Sequence, residues 1–145
     1  MDFRDYLRLA EDLANGTTEA EWRSATSRGY YAAFHVARLL LEDLRFTIPR
    51  DDKAHKFLYF RLNNGGDAQV ANAAYHLNYL RNERNWCDYN LRVSCRQDVA
   101  VSHIQLAEDI IRMLDAARNE PTRTQITDAM KIYERDILKT VTWHP

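Results

Sequence analysis

The sequence predicts an all-α protein, folded as a single bundle of five to six helices over residues 1–145. Only 4 of the 145 residues are Gly and 3 are Pro, whereas a β-sandwich or barrel needs turn residues about every 8–12 positions. Apolar residues recur every three or four positions over long segments, which is the spacing of one helical face. With 46% hydrophobic and 28% charged residues, the chain can also build the core of one ordinary domain.

The first half of the chain predicts three helices. The first runs from Asp2 to Asn15 and ends before Gly16. The segment Thr18-Glu-Ala-Glu21 has the pattern of a capping box and begins a long second helix that ends near Leu44. The apolar stripe of this second helix comprises Trp22, Ala25, Gly29, Ala33, Val36, Leu40 and Leu44. A shorter third helix starts at Asp51 or Asp52 and ends at Arg61 or Leu62.

The second half predicts up to three more helices, after a clear break at Asn63-Asn-Gly-Gly66. The fourth helix runs from Asp67 to about Asn90. A capping-box match at Ser94-Cys-Arg-Gln97 opens a fifth helix, which continues to about Arg118. Pro121 stops that helix, and a last one, from Gln125 to Thr140, carries the inward positions Ile126, Met130, Tyr133 and Ile137.

Charge and composition narrow the classes of function. A formal net charge of −1 argues against a protein that coats nucleic acid or a membrane by bulk attraction. Any anion-binding site must therefore be a local cluster. The chain has no apolar signal core and no apolar run of about 18 residues, so we expect a cytoplasmic protein without a membrane partner. Cys87 and Cys95 lack metal-ligand spacing, and no His pair has it, so neither a metal nor a cofactor is predicted.

One residue breaks the apolar stripe of the fourth helix. The stripe comprises Val70, Ala73, Leu77, Leu80, Arg84, Cys87 and Leu91. Arg84 stands where Leu or Ile is expected, and its guanidinium stays charged at any relevant pH. Because an unpaired buried charge costs several kcal/mol or more, Arg84 requires a partner, a wet cleft or an anionic ligand.

Two interpretations of Arg84 are open. Asp88 follows one turn later, so the two side chains can form an intrahelical ion pair at the edge of the bundle. Alternatively, Arg84, Asn85, Asp88 and Tyr89 form a polar site at a helix interface, suited to phosphate or ribose recognition. Arg81, one turn earlier, would add positive charge to such a site, together with Arg92 and Arg96.

Three aromatic or imidazole side chains are further candidates. Tyr31 and His35 lie one turn apart on the second helix, beside a stripe of small residues, and His55 lies near the start of the third. Each of these side chains is more often a packed, hydrogen-bonded residue of a helical core than part of a functional site. His35 is nevertheless a candidate binding residue, and His55 a candidate catalytic residue.

These segments resemble the HEPN superfamily, specifically the small prokaryotic HEPN proteins encoded beside minimal nucleotidyltransferases. The resemblance rests on Ser27-Arg-Gly-Tyr-Tyr-Ala-Ala-Phe-His35, then His55-Lys56, then Leu80 with Arg84-Asn-Trp-Cys-Asp-Tyr89. It spans about Glu19 to Leu91, in the family's order. It implies a HEPN-like bundle that pairs into a homodimer, in which the Arg-Asn helices of two subunits face each other across a cleft.

The resemblance also implies a function. Many members are metal-independent endoribonucleases of toxin–antitoxin and defence systems, in which four to six residues separate the Arg from a following His. In this sequence positions 89 to 91 hold Tyr89, Asn90 and Leu91 instead. We therefore expect either an RNA-directed toxin in which Arg84 and Asn85 act with Tyr89, His55 or His35, or a component that does not cut.

The component that does not cut would bind RNA or nucleotide, or serve a nucleotidyltransferase antitoxin that modifies Tyr89. A third interpretation is a homodimer whose polar seam only sets the pairing geometry.

Overall fold

A computed structural model describes all 145 residues, and every regular element in it is helical, which confirms the predicted all-α class. There are six α-helices and a π-helical segment at the end of the sixth. In chain order they are α1 (Arg4–Ala14), α2 (Glu19–Asp43), α3 (Lys53–Asn63), α4 (Ala68–Tyr89), α5 (Gln97–Ala116), α6 (Thr122–Ile132) and the π-helical segment Tyr133–Leu138. None of the helices combines the length and the apolar character needed to span a bilayer.

The residues form two compact units, each assembled from two stretches of chain. The first unit comprises Met1–His35 and His76–Ile110, and the second comprises Val36–Tyr75 and Ile111–Pro145. The first therefore contains α1, residues 19–35 of α2, residues 76–89 of α4 and residues 97–110 of α5. The expectation of one domain over residues 1–145 stays a prediction.

Small side chains bring the helices of the first unit close together. Ala10, Ala14, Ala25 and Ile104 form one buried cluster. Gly29 on α2 lies against α5, where an added Cβ atom would come within 2.8 Å of Ile104 Cδ1. The stripe of small residues therefore allows close helix packing, as its sequence suggests.

Arg23 on α2 fixes the C-terminal end of α4. Its guanidinium donates to the backbone carbonyl of Cys87 at 2.8 Å, to that of Asn90 at 3.0 Å and to that of Val93. It also donates to Glu19 Oε1 at 2.9 Å. Because the last carbonyls of a helix have no partner within the helix, these bonds hold the end of α4, where the Arg84 segment lies, against α2.

The second unit contains the rest of α2, α4 and α5 together with α3, α6 and the π-helical segment. Its fully buried side chains include those of Leu58, Leu62, Leu114, Ile126 and Met130. Ile126 and Met130 thus lie inside, as predicted.

The π-helical segment changes the register of the last helix. Ile137 was expected inside, but it is 68% exposed, whereas Glu134 is fully buried. A π-helical turn contains more residues than an α-helical one and so shifts the face that points inward. Glu134 is compensated by Arg61 of α3, whose Nε lies 2.8 Å from Glu134 Oε2.

Two smaller expectations are corrected at helix ends. The fifth helix begins at Gln97 rather than after Ser94. Its Gln97 side chain donates to the carbonyls of Ala14 and Gly16, at the end of α1, at 3.0 and 3.3 Å. Leu91 is 74% exposed because α4 has already ended at Tyr89.

Candidate functional site

Arg84 is half-buried and makes three contacts within the first unit. Its Nε lies 3.1 Å from Asp88 Oδ2, with 18% of the Arg84 side chain exposed. Its Nη1 donates to Asn85 Oδ1 at 2.9 Å. Its Cζ lies 5.0 Å from the centroid of the Tyr31 ring on α2. The predicted intrahelical pair is therefore formed, and the guanidinium in addition stacks against the neighbouring helix.

Arg28 of α2 reaches the same aromatic ring. Its Cζ lies 5.4 Å from the centroid of Tyr31 and 5.6 Å from that of Tyr6 on α1. Two guanidiniums therefore share the Tyr31 ring, one from α2 and one from α4. Stacking of this kind holds a planar guanidinium in place while its N–H donors stay available for anions such as phosphate.

Ser27 links the two arginines through a chain of long polar contacts. Arg28 Nη2 lies 3.5 Å from Ser27 Oγ, and Ser27 Oγ lies 3.5 Å from Asp88 Oδ2. Asp88 is thus shared between Arg84 and the Ser27 hydroxyl. The carboxylate therefore contacts side chains of both α2 and α4.

Arg81 adds a third positive charge nearby. Its Nε is buried without a hydrogen-bond partner, and no carboxylate pairs with its guanidinium. Burial raises the pKa of the Tyr30 hydroxyl above its usual range, while the positive charges of Arg81 and Arg84 act in the opposite direction. Arg81 and Arg84 therefore both act electrostatically on the buried Tyr30, beside Tyr31.

His35 is part of an aromatic stack between α1 and α2. Its ring lies 4.3 Å from that of Phe3 and 6.0 Å from that of Tyr6, in both cases nearly parallel. The Tyr31 ring is 6.3 Å away. The imidazole is therefore held by ring contacts next to the Arg28–Tyr31–Arg84 cluster.

The structure brings most of the predicted site residues together. Arg81, Arg84, Asn85 and Asp88 follow one face of α4, and Tyr31 and His35 join them from α2. Tyr89 follows one turn after Asn85 and is 77% exposed, so its hydroxyl is open to solvent. His55 lies on α3, in the second unit, whereas the other predicted site residues lie in the first.

Sequence reasoning did not assign Arg28, Ser27 or Tyr6 to the site. Arg28 and Ser27 stand at the start of the segment that carries the HEPN resemblance, and Arg28 is followed seven residues later by His35 on the same helix. These two features are the signals for Arg28 in the sequence. The approach of Tyr6 to Arg28 depends on how α1 packs on α2, which residue spacing does not reveal.

A second polar network lies elsewhere in the first unit and is mostly buried. Thr26 Oγ1 lies 2.9 Å from His103 Nδ1, and His103 Nε2 lies 3.5 Å from Glu83 Oε2. Burial lowers the pKa of His103, although the charge of Glu83 opposes this effect. Thr26 is fully buried, so the network cannot present its hydroxyl to a substrate. It also removes Glu83 from the carboxylates available to Arg84.

The Arg28–Tyr31–Arg84 cluster suits an anion better than a metal ion. The guanidiniums of Arg28 and Arg84 lie on the Tyr31 ring, Arg81 stands one turn before Arg84 on α4, and Asp88 is the one carboxylate that pairs with any of the three. Nowhere do three or more His, Cys, Asp or Glu side chains come together in an arrangement for metal binding. Guanidinium donors of this kind match the oxygen atoms of a phosphate.

Comparison with protein-family models, curated proteins and solved structures gives no match to this chain.

Proposed function

We propose that this protein is an RNA-directed, HEPN-type toxin or defence component, acting in the cytoplasm as a homodimer, and that Arg84 binds a backbone phosphate. The observation that carries the proposal is the half-buried Arg84 guanidinium, stacked on Tyr31 beside two further arginines that have no carboxylate partner. The net charge of the chain is −1, so the positive charge of these arginines is a local feature of the cluster. A local positive cluster favours the binding of a short anionic segment of a ligand.

The chemistry available is metal-independent cleavage by the neighbouring 2′-hydroxyl. That reaction needs a base, an acid and stabilisation of charge on the phosphorane. Arg84 supplies the charge stabilisation, and Asn85 and Asp88 hold its guanidinium in one orientation. The Tyr89 hydroxyl can donate a proton or a hydrogen bond. His35 would then serve as the base.

Purified protein incubated with total RNA in the presence of a chelator tests this proposal. Wild-type protein is expected to cleave the RNA, and Arg84→Ala to lose most of that activity. Arg8→Ala is the matched control, because Arg8 on α1 is 67% exposed and pairs only with Asp5. Equal cleavage by wild type and Arg84→Ala would refute the catalytic role of Arg84.

A non-catalytic function is the second candidate, and the exposure of Tyr89 favours it. Tyr89 is 77% exposed and lies one turn from Asn85, so its hydroxyl is accessible to a modifying enzyme. Transfer of adenylate from ATP to the Tyr89 hydroxyl by a nucleotidyltransferase, with release of pyrophosphate and of the hydroxyl proton, would place negative charge and bulk near Arg84, which would repel RNA. In this case the chain is a nucleotide- or RNA-binding subunit or the partner of that enzyme.

Intact mass spectrometry after co-expression with a small nucleotidyltransferase tests the second candidate. The expected result is one added adenylate on wild type and none on Tyr89→Phe. Modification at another tyrosine, or none on the wild type, would rule it out. RNA binding without cleavage in the first experiment would favour this candidate over the nuclease.

A further inference from the structure

Arg28 is a second arginine in the cluster whose charge no carboxylate neutralises. It is half-buried, and its one side-chain hydrogen bond is the 3.5 Å contact to Ser27 Oγ. Arg23, by contrast, uses its guanidinium on three backbone carbonyls and the carboxylate of Glu19. A guanidinium carries five N–H donors, so most of those of Arg28 have no protein acceptor. Tyr6 and Tyr31 hold it in place by stacking.

The Tyr31 ring holds the guanidiniums of Arg28 and Arg84 near each other. Both Cζ atoms lie within 5.4 Å of the Tyr31 centroid. Asp88 pairs with Arg84, whereas no carboxylate pairs with Arg28. If Arg84 holds one phosphate, the unused N–H donors of Arg28 are available to a phosphate next to it.

We infer that Arg28 binds the phosphate next to the one held by Arg84, so that the site takes two successive phosphodiesters of a single strand of RNA, with Tyr31 between them. This inference rests on the proposed function, because it extends the same site. It makes the ligand class a single-stranded oligonucleotide rather than a mononucleotide. The alternative is that Arg28 only packs α1 against α2 through its contacts with Tyr6 and Tyr31.

The dependence of binding on salt concentration separates these interpretations. For single strands, log K falls with log salt concentration with a slope of about −0.7 per phosphate neutralised. Binding of a fluorescently labelled oligouridylate is measured at several salt concentrations. The oligouridylate is 2′-O-methylated, so that cleavage cannot occur. Arg28→Gln and Arg84→Gln are each expected to reduce the magnitude of the slope by about 0.7. The control Arg8→Gln is expected to keep the wild-type slope.

Two further measurements distinguish binding from packing. Arg28→Lys keeps the charge but loses the planar fork, so it should retain the slope while binding more weakly. Uridine monophosphate, which has one phosphate, should lose affinity in Arg84→Gln and keep it in Arg28→Gln. Thermal unfolding of each variant identifies any that fails to fold.

The outcomes separate the two proposals. A wild-type slope in a folded Arg28→Gln, with a reduced slope in Arg84→Gln, would overturn the role of Arg28 and leave the proposed function intact. If wild-type protein does not bind the oligonucleotide, or Arg84→Gln binds it as wild type does, both proposals fail. The inference is supported if Arg28→Gln reduces the magnitude of the salt slope and Arg28→Lys restores it.

Discussion

Removal of the Glu134 carboxylate is expected to destabilise the protein strongly. Glu134 is fully buried and accepts hydrogen bonds from Arg61 Nε at 2.8 Å, from the Thr142 backbone N–H at 2.9 Å and from that of Trp143 at 3.1 Å. It therefore ties the chain after the π-helical segment back to α3. Substitution by Leu removes all these bonds together with the negative charge.

The size of the destabilisation follows from the interactions that Arg61 loses. Arg61 is 6% exposed, and in Glu134→Leu its guanidinium would keep only a 3.4 Å contact to the Phe57 carbonyl and its place over the Phe57 ring. Breaking a buried ion pair by removing one partner costs about 3–5 kcal/mol. Since a domain of this size is stable by only about 5–15 kcal/mol, Glu134→Leu would lose a large part of its free energy of unfolding.

A double-mutant cycle measured by urea unfolding checks this value. Glu134→Leu and Arg61→Met are each expected to be strongly destabilising, and the double variant less so than the two added together. Asp136→Asn is the control, because its partner Arg135 and the carboxylate are both well exposed, and we expect no measurable change. A folded Glu134→Leu that loses less than about 1 kcal/mol, or a fully additive cycle, would refute the reasoning.

The same carboxylate predicts sensitivity to acid. Burial raises the pKa of Glu134, but the bonds from Thr142 and Arg61 outweigh this effect and hold the pKa below its usual range. The stabilisation from the ionised form is therefore present above the ordinary glutamate pKa and is lost as the pH falls through the lowered value. Glu134→Gln should show a smaller loss of stability in that acidic range, which unfolding at a series of pH values measures.

Three further predictions concern other buried groups. Gly29→Val should cost about 1–3 kcal/mol in urea unfolding, because its side chain would meet Ile104 Cδ1. Since burial lowers the pKa of His103, the folded protein should lose stability as the pH falls below the ordinary histidine value of about 6.5, and His103→Asn should flatten that dependence. Cys87 and Cys95 are buried with raised pKa values, so both thiols should react with Ellman's reagent at pH 8 slowly in the native protein and rapidly in denaturant.

Each of these predictions has a contrary result. Ser24 lies on the exposed side of α2, so Ser24→Val should leave stability nearly unchanged, and an equal loss there would mean that helix propensity rather than packing is responsible. A wild-type stability that is flat between pH 5 and 7 would contradict the neutral state of His103. Rapid reaction of either thiol in the native protein would show that its burial is not maintained in solution.

The positions of the helices could be predicted from the sequence, because the information is local. Apolar spacing and the Asn63–Gly66 break located α4 to within one residue at each end. The Thr18 hydroxyl accepts a hydrogen bond from the Glu21 backbone N–H at 3.2 Å, so the first capping motif also formed as predicted. Arg84 was identified as out of place on an apolar stripe, and its pairing with Asp88 followed from helical geometry.

Contacts between helices could not be predicted, because they depend on distances that no residue spacing specifies. Arg28 approaches Tyr6 only because small residues allow α1 and α2 to pack closely, and this contact makes Arg28 part of the site. Gln97 matched a capping box but reaches the end of α1 instead. Glu134 lies four residues after Met130 on the buried face of the last helix, and only the fold shows that Arg61 from α3 compensates its charge there. Local patterns thus determined which segments are helices and which arginine is unusual. Only tertiary packing decided which charges meet, because electrostatic pairing depends on proximity in space rather than along the chain.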